Sequence, residues 1–133
     1  MMKALFSYLL ALMLFTAMDL LWLGKIARSF YQRHLGPWLR AETHWPAAIA
    51  FYLIFIGGLW FFAIRPAIQT GDLRIAGGYG AIYGLCTYAT YELTNHATHR
   101  EWPAAILLPD MLWGTVLSAV VALLTVFFIG KIL

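Results

Sequence analysis

Ile75-Ala-Gly-Gly-Tyr-Gly-Ala-Ile-Tyr-Gly-Leu-Cys-Thr-Tyr-Ala-Thr-Tyr-Glu-Leu-Thr-Asn95 decides how this chain folds. As an α-helix rising about 1.5 Å per residue, it is long enough to cross a hydrocarbon core of about 30 Å. Its one formal charge is Glu92. On a wheel of about 100° per residue, Gly77, Gly80, Gly84, Thr87, Tyr88, Tyr91, Glu92, Asn95, Thr98 and His99 share a face. Ile75, Ile82, Leu85, Cys86, Ala89 and Leu93 take the other, which suits lipid. Gly80 and Gly84 form a small-xxx-small pair that lets a second helix approach closely. Further along, the same face turns polar at residues 88–95. One half of the helix is therefore expected to pack tightly and the other to line something polar. An acid inside a membrane is costly, and so marks a candidate site.

Three further apolar segments surround this one. The expected spans are residues 4–24, 46–64, 75–95 and 104–130, with an amphipathic, interfacial segment at 25–35. In that segment Lys25, Arg28, Ser29, Gln32 and Arg33 repeat at helical spacing, with Ile26, Phe30 and Leu35 turned away from them. Residues 65–74 read as a turn containing Pro66, Gly71 and Asp72. The fold class is all-α: a polytopic membrane protein, one domain over residues 1–133, built as a four-transmembrane-helix up-down bundle. Trp-Pro-Ala-Ala-Ile occurs at residues 45–49 and 102–106, each time opening an even-numbered helix, which hints at two related hairpins.

Composition supports the same class. The chain is 62% hydrophobic and 11% charged, against about 25% charged in a soluble domain. The net charge of +3 is read as loop Lys and Arg facing anionic headgroups, which leaves no module for nucleic acid. One cysteine, Cys86, excludes an intramolecular disulfide and a cysteine metal site. The run after Lys3 continues to Leu23 with no small-x-small cleavage site, so it reads as a retained helix. Loop Lys and Arg near the first helix place the two odd-numbered loops in the cytoplasm. Bacterial inner membrane is the expected location.

Up-down connectivity brings the end of helix one, the end of helix three and the start of helix four to one membrane face. Asp19, Glu92, Asn95 and Asp110 then lie at similar depth. Polar faces of a membrane bundle turn inward, since lipid offers them no partner. The expectation is a half-buried pocket in which Asp19, Glu92 and Asp110 supply acid–base chemistry. Trp22 and Trp113 would wall it, and Tyr88, Tyr91 and Asn95 would orient a ligand. Three acids together cannot all stay ionised cheaply, and a neutral one could donate a hydrogen bond or a proton. Glu92, His96 and His99 share i, i+4, i+7 spacing, which makes the two histidines weak metal candidates. They sit beside Arg100 and Glu101 as interfacial residues would, and no metal or other cofactor is expected.

Several of these pieces together carry a resemblance. Asp19-Leu-Leu-Trp-Leu-Gly24, Phe30-Tyr31, Leu35-Gly36, Ala47-Ala48, Phe51-Tyr52, Pro66-Ala67, the run 88–95 with Ala97-Thr98, Trp102-Pro103, and Asp110 with Trp113-Gly114 resemble a bacterial membrane family, domain of unknown function 2177. The resemblance covers nearly the whole chain. It implies four membrane helices and no particular activity. Members usually carry Asp where this chain has Glu92 and an apolar residue where it has His96, which counts against His96 as a metal ligand.

Three functions fit these observations. The first is a membrane-embedded site for a small lipid-, isoprenoid- or quinone-like molecule, with or without turnover. The second is a structural or accessory subunit whose acids pair with a partner membrane protein or with the chain's own arginines. The third is a proton-coupled transporter working as a homodimer, with Asp19 as the carrier; the crowding of polar residues at one face argues against it. Membrane lipids are the common partner in all three.

Overall fold

The computed structural model describes residues 1–133 and is helical almost throughout. Helix α1 covers Met2–Ile26, α3 Trp45–Thr70 and α5 Ala104–Ile132. The short α2 covers Arg28–Leu35, and α4 covers Leu73–Thr98. Of these, α1, α3 and α5 are long and apolar enough to cross a membrane. Helix α4 has 26 residues and matches them in length, but its glycines, tyrosines and threonines make it more polar.

The second long helix departs from its expected end at residue 64. Residues 65–70 were expected to turn, yet helix continues to Thr70. The reason lies just before Pro66. A proline in a helix interior leaves the carbonyl four residues back without its donor. Here the preceding stretch Trp60–Ile64 widens to π register, and the Arg65 N–H reaches back to the Trp60 carbonyl. The extra residue in that turn lets the helix run on through the proline. Gly71 ends it with φ of 70°, a left-handed conformation that glycine adopts without a side-chain clash. Asp72 then caps α4, its side chain accepting from the Arg74 N–H at 2.8 Å.

The end of α1 is also widened: Trp22–Ile26 is π-helical, and the Ala27 N–H meets the Trp22 carbonyl at 2.8 Å. Lys25 and Ile26 thus belong to α1, and the amphipathic helix starts at Arg28. Ile26 is 63% exposed, as an apolar residue turned toward lipid would be. Tyr31 and Leu35 face inward, packing with Ala27, Trp102 and Ile106 into a small cluster. The two Trp-Pro-Ala-Ala-Ile copies also differ in setting, since Trp45 is exposed while Trp102 is buried.

The long helices pack in the cyclic order α1, α3, α4, α5, and the contact between α4 and α5 is the most extensive. It is close because side chains are missing where the backbones meet. A methyl group at Gly84 would overlap the Gly114 carbonyl, and one at Gly114 would fall on the Tyr88 ring. Phe15, Ile56, Leu59, Ile64, Leu117 and Val121 fill the interior. Outward, Met13, Ile54, Ile82 and Leu112 are between 55% and 76% exposed. Water would disfavour such a belt on every long helix, whereas lipid accepts it.

Candidate functional site

Helix ends place the acids. Asp19 lies one turn before the widened end of α1, Glu92 in the last third of α4, and Asp110 in the second turn of α5. All three are buried, at 5%, 1% and 8% exposure respectively. They share the wall of one cavity of about 400 Å³. The other lining side chains are Leu23, Tyr31, Leu35, Phe51, Phe55, Thr87, Tyr88, Tyr91 and Trp113. A smaller cavity of about 250 Å³, lined by Lys3 and Lys131 among others, lies toward the opposite end.

Every acid receives hydrogen bonds from neutral donors. Asp19 accepts from Tyr52 Oη at 3.1 Å on one oxygen and from Trp113 Nε1 at 3.2 Å on the other. Asp110 Oδ1 accepts from the Tyr31 hydroxyl at 2.5 Å. Glu92 Oε2 accepts from Trp102 Nε1 at 2.9 Å. Trp22 Nε1 donates to the Tyr31 oxygen at 3.1 Å, and the Trp22 ring stacks on Trp113 with centroids 4.3 Å apart and planes 8° from parallel. One connected network therefore ties α1, α2, α3 and α5 around the cavity, and Glu92 joins it from α4. Its carboxyl shares the cavity wall with those of Asp19 and Asp110, and carboxylates bring no donor of their own to one another.

No cation takes part. The one ion pair in the chain, Arg74 with Asp72 at 3.1 Å, lies at the turn between α3 and α4. Lys25, Arg28 and Arg100 do not line the cavity. Burying a charge without an opposite charge is costly, and hydrogen bonds from indole and phenol recover only part of it. The Tyr88 ring is wedged against Gly114, and its hydroxyl makes no side-chain hydrogen bond to the protein.

Positions 4–127 match the family described as "Predicted membrane protein (DUF2177)". The chain belongs to that family. No curated protein and no solved structure matches it. For this DUF2177 protein the family assignment supports a membrane protein with several apolar helices and carries no activity with it.

Among the residues singled out from the DUF2177 sequence, Asp19, Glu92, Asp110, Tyr88, Tyr91 and Trp113 line the cavity. Trp22 stands behind the wall, bracing Trp113 and Tyr31. Asn95 lies outside the cavity lining, half-buried one turn beyond Tyr91. His96 Nδ1 sits 3.0 Å from the Trp102 carbonyl and His99 Nδ1 3.1 Å from the Asn95 carbonyl. The structure does not gather these histidines with Glu92 around a common point.

Tyr31, Tyr52 and Trp102 were missed as site residues. Each is an aromatic with a polar atom in an otherwise apolar setting, and such groups find a partner when buried. That rule offered a signal for Trp102, which lies just past the end of the helix that carries Glu92. It gave none for Tyr31 or Tyr52, whose partners are distant in sequence.

Proposed function

We propose that the chain crosses a bacterial inner membrane four times, with α4 as the third crossing, and that the acid-bearing cavity binds a small lipophilic molecule carrying a polar group. The observation that carries this reading is the cavity itself: about 400 Å³ walled mainly by aromatic and aliphatic side chains, with Asp19, Glu92 and Asp110 converging on it. Few polar groups in an apolar concavity is the usual chemistry of a small-molecule site. Exposed Ile82 and Leu85 on α4 support its place in lipid. Asp19, Glu92 and Asp110 are the candidate acid–base groups. A neutral carboxyl among them can pass a proton to a bound molecule, and an ionised one can take a proton from it. Tyr88, with its free hydroxyl, and Tyr91 are candidate orienting groups, and Trp113 forms a flat wall braced by Trp22.

Native mass spectrometry of protein released gently from its own membrane tests this. A retained small molecule, lost from Asp110→Asn and Glu92→Gln proteins that still fold, is the expected result. An empty protein that instead carries a stable partner subunit would overturn it in favour of an accessory role.

A further inference from the structure

The cavity's charge balance says which class of molecule it takes. Its lining includes three carboxyl groups and no lysine, arginine or histidine. Every hydrogen-bond donor that reaches those carboxyls, from Tyr31, Tyr52, Trp102 and Trp113, is neutral. Donors on both oxygens of Asp19 satisfy its lone pairs without bringing a positive charge. Any of the three carboxyls that ionises has no opposite charge in the lining. Whatever charge the wall carries is therefore negative, in surroundings of low dielectric, where an uncompensated charge is expensive and an opposite one is strongly attracted.

Ligand classes separate on this ground. An anionic headgroup would meet like charge. A neutral isoprenoid or quinone would fill the apolar space and leave the charge uncompensated. A cation answers both features of the wall, because the remaining lining is largely aromatic. Phe51, Phe55, Tyr88 and Trp113 present rings to the space, and aromatic faces attract ammonium groups, more strongly when water is excluded. The Tyr88 oxygen, with no side-chain hydrogen bond to the protein, can accept from an amine N–H. We infer that the ligand is a lipophilic organic cation, an amine or quaternary ammonium compound. Its charge lies between Asp19 and the Glu92–Asp110 pair, and its apolar part against Phe51, Phe55 and Tyr88.

This inference rests on the cavity being a ligand site, and the test separates the two. Protein in lipid nanodiscs is titrated with benzyltrimethylammonium and with neopentylbenzene, which has the same shape with carbon in place of the charged nitrogen. The cation is expected to bind about tenfold more tightly or better. Asp19→Asn and Asp110→Asn should each reduce that preference, with thermal unfolding confirming that the variants fold. The wild-type comparison alone suffices if they do not. Equal or tighter binding of neopentylbenzene would overturn the cation class while leaving the pocket standing. Binding of neither probe, by protein that retains a neutral or anionic molecule from its own membrane, would also overturn the class. Binding of neither, with nothing retained, would remove the pocket as well.

Discussion

The Tyr31 hydroxyl donates to Asp110 Oδ1 at 2.5 Å across a sequence separation of 79 residues. This bond fastens the short surface helix α2 to the start of α5 and closes one side of the acid-lined cavity. Tyr31→Phe removes the donor and leaves a buried carboxyl oxygen short of a partner. A hydrogen bond to a charged group is worth about 1.5–3 kcal/mol, and a loss of that order is expected in the unfolding free energy in mild detergent. In a double-mutant cycle with Asp110→Asn, the two costs should not add. Strict additivity would mean that the bond contributes nothing.

Gly84 and Gly78 offer a contrast within one helix. A methyl group at Gly84 would run into the Gly114 backbone, whereas at Gly78 nothing lies within 4 Å. Gly84→Ala should destabilise by about 1–3 kcal/mol through overpacking. Gly78→Ala should be neutral or slightly stabilising, since alanine is the better helix former. Thermal midpoints of the two variants side by side check this, and equal effects would argue against the close contact of α4 with α5.

Ser7 and Trp60 make a second polar contact, away from the acids. The Trp60 Nε1–H donates to Ser7 Oγ at 2.8 Å, and Ser7 is fully buried. Ser7→Ala should cost about 1–3 kcal/mol by leaving the indole N–H unpaired. Adding Trp60→Phe should recover part of the loss, because the orphan donor is then gone. Chemical unfolding of both proteins reads the difference.

At the turn between α3 and α4, the Arg74 side chain and then its backbone N–H hold the Asp72 carboxyl below the usual carboxylate range. A folded-state pKa below the unfolded one contributes stability above the unfolded pKa of about 3.9. That contribution is lost as pH falls through the lower, folded value. Wild type should therefore lose a small increment of thermal stability below about pH 4 that Asp72→Asn does not show. The same fall in both proteins would remove the role given to this cap.

Cys86 gives a direct probe of the four-crossing proposal, being the one cysteine and exposed on α4. In intact membranes it should react with a lipophilic maleimide and resist a membrane-impermeant one. A spin label there should be accessible to oxygen and shielded from a water-soluble relaxant. Ready labelling by the impermeant reagent would take the middle of α4 out of the membrane.

Much of this architecture is written in local patterns. The glycine face of α4 was visible at Gly80 and Gly84 because helical spacing fixes which residues share a side. The gathering of Asp19, Glu92 and Asp110 followed from alternating helices, which needs only element order. Three things escaped. Helix through Pro66 depends on a widened turn that no propensity signals. The inward packing of Tyr31 went unread because α1 runs on to Ile26 and α2 starts afresh at Arg28, which shifts the phase of the amphipathic face. The donors Tyr31 and Tyr52 are partners across helices, and a single sequence does not encode such pairing in any local spacing.

The most direct test of the ligand site is a high-resolution structure of the protein crystallised from a lipidic phase without exchange of its native lipids. The account predicts discrete non-protein density in the cavity between Asp19 and the Glu92–Asp110 pair, in contact with Tyr88, and its absence from Asp110→Asn crystals. A cavity collapsed by inward rotation of Phe51 or Tyr88, or filled only by ordered water, would contradict it.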